Sequence, residues 1–206
     1  VIHPEQAPTR AAVLELRAER GMVEEAYDFL DEKRLLLAAE LLRQLDRFEA
    51  LSSEVREKTR AARDRLLAAV QRHGLQGLSV YPAMPLEAVR IETSRRNLMG
   101  VTLMETAAAM PEPARSAVPV AAYPSAEAEA CRDAFREVFT LSAELAGISG
   151  NLYRLLAEYR LAERRARALE NVILPEIEQT LNRMSAYLEE IDMEDAIRAR
   201  PLQRGW

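Results

Sequence analysis

Glycine is scarce in this chain, 7 of 206 residues, and aromatic side chains make up only 5%. A globular enzyme of this length usually carries more of both, glycine for tight turns and aromatics for a thick core. Cys131 is the single cysteine, so no disulfide forms within the chain, and a small packed side chain is the plain reading of it. No apolar run of about 18 residues occurs, which excludes a membrane-spanning helix. His3 and His73 stand far apart and no GxxxxGK[ST] loop is present, so the usual metal, triad and phosphate sites have no residues to build them. Nor is positive charge in excess: a net charge of −5 speaks against general affinity for nucleic acid.

What the chain has instead is Ala, Leu, Glu and Arg, with 30% of positions charged, the composition of long helices and coiled coils. Thr9 is placed to cap a helix. From Val13 the apolar residues recur at three-four spacing through Leu16, Val23, Tyr27, Leu30, Leu37, Leu41, Phe48, Leu51 and Val55. The same line crosses Arg20, Arg34 and Gln44, then weakens through Ala62, Leu66 and Val70 to a glycine stop at Gly74. Residues 9–73 therefore predict one long helix, and residues 74–124, rich in proline, predict a different kind of lobe.

Within that lobe LEAVRIETS alternates, placing Val89, Ile91 and Thr93 on one face, and GVTLME repeats the alternation with Val101 and Leu103. With RRNLM as the connection, the two segments predict a β-hairpin, which must lean on a helix or a partner to be stable. The proline-rich return, residues 107–125, predicts extended loop. Ser125 then caps a second long helix over residues 125–200, which Pro201 should end near Arg200. Its seam runs Leu145, Ile148, Leu152, Leu155, Tyr159, Ala162, Ala166, Leu169, Ile173, and resumes at Leu181, Met184, Leu188 and Ile191. Gly147 and Gly150 mark a soft or bent point on it.

Pro175 lies inside this second helix. Leu174 has no side-chain oxygen with which to cap a new helix, so a clean break is disfavoured. Across the proline the seam spacing changes to three successive steps of four, Leu169, Ile173, Ile177 and Leu181, so the apolar line survives shifted by one residue. The proline also deletes the hydrogen bond to the carbonyl of Asn171. The sequence thus predicts a helix that continues but bends at Asn171 and Pro175, and an all-α-dominated fold: a long antiparallel two-helix coiled coil with a small β-hairpin lobe in the middle.

The stretch RRARALENVILP, residues 164–175, is similar to a run of two arginines, Ala-Leu-Glu, Val-Ile and proline in the D subunit of V/A-type rotary ATPases. The opening PTR, residues 8–10, and Leu30, Lys33, Arg34 and Leu37 resemble the same family's N-terminal helix. The resemblance covers roughly residues 8–50 and 145–200. After Leu188 the chain departs from it, with EEIDMEDAIRARPLQ where the family has an Arg-rich run leading into lysines. The resemblance implies a central rotor stalk that is itself non-catalytic and binds no nucleotide or other cofactor. It implies as partners the catalytic and non-catalytic ring subunits (A and B type), a small companion stalk subunit (F type) near the hairpin residues Val89, Ile91, Val101 and Leu103, and a funnel-like adaptor (C type) on the membrane ring. It further implies a cytoplasmic, membrane-peripheral location without direct membrane insertion, and coupling of ATP turnover to movement of H+ or Na+.

Arg164, Arg165 and Arg167, with Lys33 and Arg34, have two readings: contacts to acidic loops of a surrounding ring, or a solvated face paired with Glu163 and Glu170. Arg34 sits on the seam line, where its stem can pack while its head reaches water. A generic tethering coiled coil, paired with a second copy, is the competing function; the co-occurrence of the Lys-Arg and proline elements on separate helices separates it from the stalk.

Overall fold

The computed structural model describes residues 8–81, 89–109 and 124–203, with side chains described to residue 198. Its elements are helix α1 (Arg10–Leu78), strands β1 (Arg90–Leu98) and β2 (Val101–Ala109), helix α2 (Ala126–Ala168), a π-helical turn (Leu169–Ile173) and helix α3 (Leu174–Gln203). The all-α-dominated class with a small hairpin holds. Thr9 caps α1, its Oγ1 accepting the Ala12 N–H at 3.1 Å.

The chain divides into two compact units, Val1–Leu36 with Tyr159–Trp206, and Leu37–Glu158. In the first, Val13 and Leu16 of α1 pack on Ile177, Leu181 and Met184 of α3, with Val23, Ile173 and Leu188 around them. Arg10 pairs with Asp192 and Arg20 with Glu178, so the helices here run antiparallel. These pairs are largely exposed and report register more than they supply stability.

In the second unit α1 and α2 are again antiparallel, as Arg47–Glu144, Lys58–Glu137 and Arg72–Glu127 record. Leu37, Ile148 and Leu155 are buried on the seam, and Ala62 and Ala69, one heptad apart, are fully buried where small side chains let the backbones approach. Cys131 is buried too, and desolvation pushes its thiol pKa up, which keeps it an inert packing group.

Gly74 does break the helix, with φ 69° and ψ 163°, but helical turns resume as far as Leu78. Beside it His73 and Ser125 meet at 2.7 Å. Ser125 Oγ donates to Glu127 and accepts the Ala128 N–H, so it must accept from His73 as well. One buried hydroxyl thereby caps α2 and ties its start to the end of α1's regular run.

Gly147 and Gly150 lie within the continuous helical span of α2, as the seam requires. Other expectations are corrected. The hairpin turn is Met99–Gly100 alone, both at positive φ (49° and 87°), so Arg95 to Leu98 belong to β1. With Leu98 facing Val101 and Arg96 facing Leu103, Ile91 and Thr93 share a face with Thr106 and Ala108, opposite to Val101 and Leu103. α3 also runs to Gln203, past the stop expected near Arg200; the carbonyl that Pro201 deprives of its helix partner belongs to Ile197, an exposed residue. The proline-rich return is described only at its two ends: residues 107–109 complete β2, correcting the expectation of loop there, while residues 110–123 lie outside the described residues.

Candidate functional site

Pro175 stands in the first turn of α3, directly after the π-helical turn, where the Leu174 N–H bonds to the Leu169 carbonyl five residues back. A proline ring in a regular α-helix collides with the carbonyl four residues earlier, here that of Asn171. The wider π turn moves that carbonyl away and takes up one extra residue. This is the physical form of the three four-residue steps: upstream Ala162 and Ala166, and downstream Ile177 (0% exposed), Leu181 and Met184, all stay on the buried line. The Asn171 side chain donates to the Arg167 carbonyl at 3.1 Å, closing a backbone acceptor near the turn.

Upstream of this turn Arg164, Arg165 and Arg167 are exposed. Arg167 pairs with Glu163 at 2.7 Å, whereas Glu170 takes no part. Among the described residues Arg164 and Arg165 have no ion-pair partner; Arg164 Nε donates only to the Arg160 carbonyl at 3.4 Å. Arg34 is half-buried against Asp31, and Lys33 is half-buried beside it. Counting along the antiparallel pair from Arg20 and Glu178, Lys33 and Arg34 reach about the height of Arg164 and Arg165. The same unit carries an apolar line that lies off the predicted seam: Met22, Phe29 and Leu36, seven residues apart on α1, are 63%, 58% and 43% exposed. The signal was legible as a second heptad line beside the first.

In the other unit the hairpin is clamped by polar contacts. Asn151, 3% exposed, receives the Met104 N–H on Oδ1 and donates Nδ2–H to the Met104 carbonyl, both at 2.8 Å. Its amide therefore occupies the edge of β2 as a neighbouring strand would. One turn earlier, Gly147 lets Thr106 lie against the helix: a Cβ there would stand 1.7 Å from Thr106 Oγ1. Val101 and Leu103 are buried, Val89 is half-buried and Ile91 is 59% exposed, so of the four hairpin residues named from sequence only two face the interior.

Glu40 holds the other strand. Its carboxylate, 9% exposed, accepts from Arg43 at 2.6 Å, Gln44 at 2.9 Å and Arg96 of β1 at 2.8 Å. Desolvation alone would raise its pKa, but the hydrogen bonds from Gln44 and Arg43 and the charges of Arg43 and Arg96 together outweigh it, and the net shift is downward from 4.5. A depressed folded pKa means stabilisation that is complete above 4.5 and is lost as pH falls through the folded value. Glu40→Gln should therefore cost roughly 1–3 kcal/mol near neutrality. In urea melts taken at falling pH the gap between wild type and variant should close below 4.5; a gap independent of pH would contradict this account.

Among the described residues no group of three potential metal ligands converges, and no helix is long and apolar enough to cross a membrane. What the described elements offer is surface: an arginine pair without counter-ions among these residues, an exposed apolar line, and a hairpin held at one edge.

A family model described as the D subunit of ATP synthase matches residues 12–204. The chain belongs to that family. Similar members include the D subunit of the A-type ATP synthase of Thermococcus sibiricus, 31% identical over 94% of this chain and 91% of that one. The D subunit of the V-type ATP synthase of Thermotoga neapolitana is 26% identical, covering 96% of both chains. Its counterpart in the V-type ATP synthase of Anaeromyxobacter dehalogenans is 30% identical over 94% of this chain and 93% of its own. The span matched to the family takes in both helices, the hairpin and the π turn together, which a generic coiled coil pairing between copies would not require. Membership in a family of ATP synthase subunits also makes the chain one component of a larger assembly.

Proposed function

We propose that this chain is the central rotor shaft of a V/A-type rotary ATPase, a non-catalytic subunit that couples ATP hydrolysis or synthesis in the surrounding ring to rotation of a membrane ring and movement of H+ or Na+. The observation that carries it is the pairing, in one compact unit, of a closed helix seam with an outer surface left unsatisfied: Met22, Phe29 and Leu36 exposed, and Arg164 and Arg165 without counter-ions among the described residues. Exposed apolar lines and unneutralised arginines are interface chemistry. Acidic loops of the A- and B-type ring subunits would meet the arginines, with Lys33, Arg34 and Arg167 around them. An F-type companion would bind at the hairpin lobe and a C-type funnel would link the shaft to the membrane ring, which places the chain peripheral to the membrane on the cytoplasmic side.

Rotation requires that the shaft favour different conformations of successive ring sites, so coupling is a difference in contact energy among them. Asn171 and Pro175 would supply it by bending the helix at the π turn and making the shaft asymmetric. Reconstitution tests the reading: one copy of the chain, added to the ring subunits of its own organism, should enter the ring and change its ATP turnover. A stable homodimer that ignores the ring would favour the tether instead.

A further inference from the structure

We infer that the outer edge of β1 is a docking site for an extended segment of a neighbouring subunit, which adds to the hairpin as a third strand and carries a carboxylate opposite Arg95. This rests on the chain working inside a rotary complex.

In a two-residue hairpin the pair flanking the turn, Leu98 and Val101, exchange backbone hydrogen bonds, and pairs alternate from there between bonded and non-bonded. Arg95 and Met104 are thus a non-bonded pair, whose N–H and C=O groups point away from each other. Asn151 verifies this independently by taking both outward groups of Met104. The same alternation turns the N–H and C=O groups of Ile91, Thr93, Arg95 and Asn97 outward from β1. Among the described residues nothing pairs with them. The two edges are therefore treated differently: β2 is sealed by Asn151 and by the close approach at Gly147, while β1 is exposed at every position from Arg90 to Asn97.

Exposed edges invite pairing, and proteins blunt them with proline, bulges, very short strands or charged side chains. β1 uses only the last of these: it is nine residues long, pairs with β2 in unbroken register and contains no proline, but carries Arg90, Glu92 and Arg95. Its charges choose the occupant. Arg96 is committed to Glu40, leaving Arg90 and Arg95 against a single Glu92 on the strand, so the edge is positive and suits an acidic strand more than a second copy of itself.

Amide exchange in the free chain and in the complex reconstituted with its own partner subunits tests this. Thr93, Arg95 and Asn97 amides should exchange freely in the isolated chain and slow by about 100-fold on assembly. Thr93→Pro removes one outward donor without touching the ladder to β2, and should weaken assembly about tenfold, while Thr93→Ala should not. Arg95→Glu should weaken it as well. If the complex forms with exchange at these amides unchanged and Thr93→Pro assembles like wild type, the docking edge is wrong and the shaft reading stands. If the chain enters no complex, both fall. Protection already complete in the isolated chain, or acquired in a homodimer, also overturns the inference.

Discussion

Gly147→Ala should destabilise the Leu37–Glu158 unit by about 2–3 kcal/mol, although alanine is the better helix former by about 1 kcal/mol. The new Cβ would lie 1.7 Å from Thr106 Oγ1 and 3.0 Å from Thr106 Cβ, so β2 must move off α2. That movement strains the two Asn151 hydrogen bonds to Met104 one turn further along the helix. Thr106 Oγ1 is already buried without a partner, so removing it costs little. Thr106→Ala placed in the Gly147→Ala background should therefore recover roughly half of the loss or more, a coupling that a double-mutant cycle in urea would measure. Equal losses in the single and double variants would show that the glycine serves something other than this approach.

The second large effect is on coupling rather than stability. Deleting Val172, a half-exposed residue of the π turn, removes the extra residue and shortens the seam from Ala166 to Met184 to the length that three-four alternation requires. Pro175 would then stand in an ordinary α-helix and cost about 3 kcal/mol, so Pro175→Ala is combined with the deletion. The double change should leave Ile177, Leu181 and Met184 buried and the melting curve close to that of wild type. Ions moved per ATP in the reconstituted complex should fall by about twofold or more if asymmetry at this turn distinguishes the ring sites. Unchanged stoichiometry would reject a mechanical role for Asn171 and Pro175 while leaving the fold intact.

The helices were legible because their seams are long and periodic. Leu37, Ile148, Leu155, Ala162 and Ala166 lie on predicted lines and are buried. The π turn was legible as a count, one residue too many between Ala166 and Met184. The hairpin was only half legible. Met99–Gly100 lacks the Asn or Asp that announces a turn with two positive φ values, so Arg95 to Leu98 read as connection, and that error hid which face Ile91 and Thr93 occupy. Gly147 read as a soft point in the helix and Asn151 carried no signal, when their four-residue spacing puts both on one face against β2.

The sequence by itself determined the helices, the phase of their seams and the family, because these depend on residue spacing along one chain. Which glycine is a contact and which a flaw, which carboxylate is buried, and which edge of the hairpin is closed depend on residues far apart in sequence: Thr106 with Gly147, Arg96 with Glu40, Met104 with Asn151. Those pairings exist only once the strands lie against the helices, so only the tertiary structure decided them.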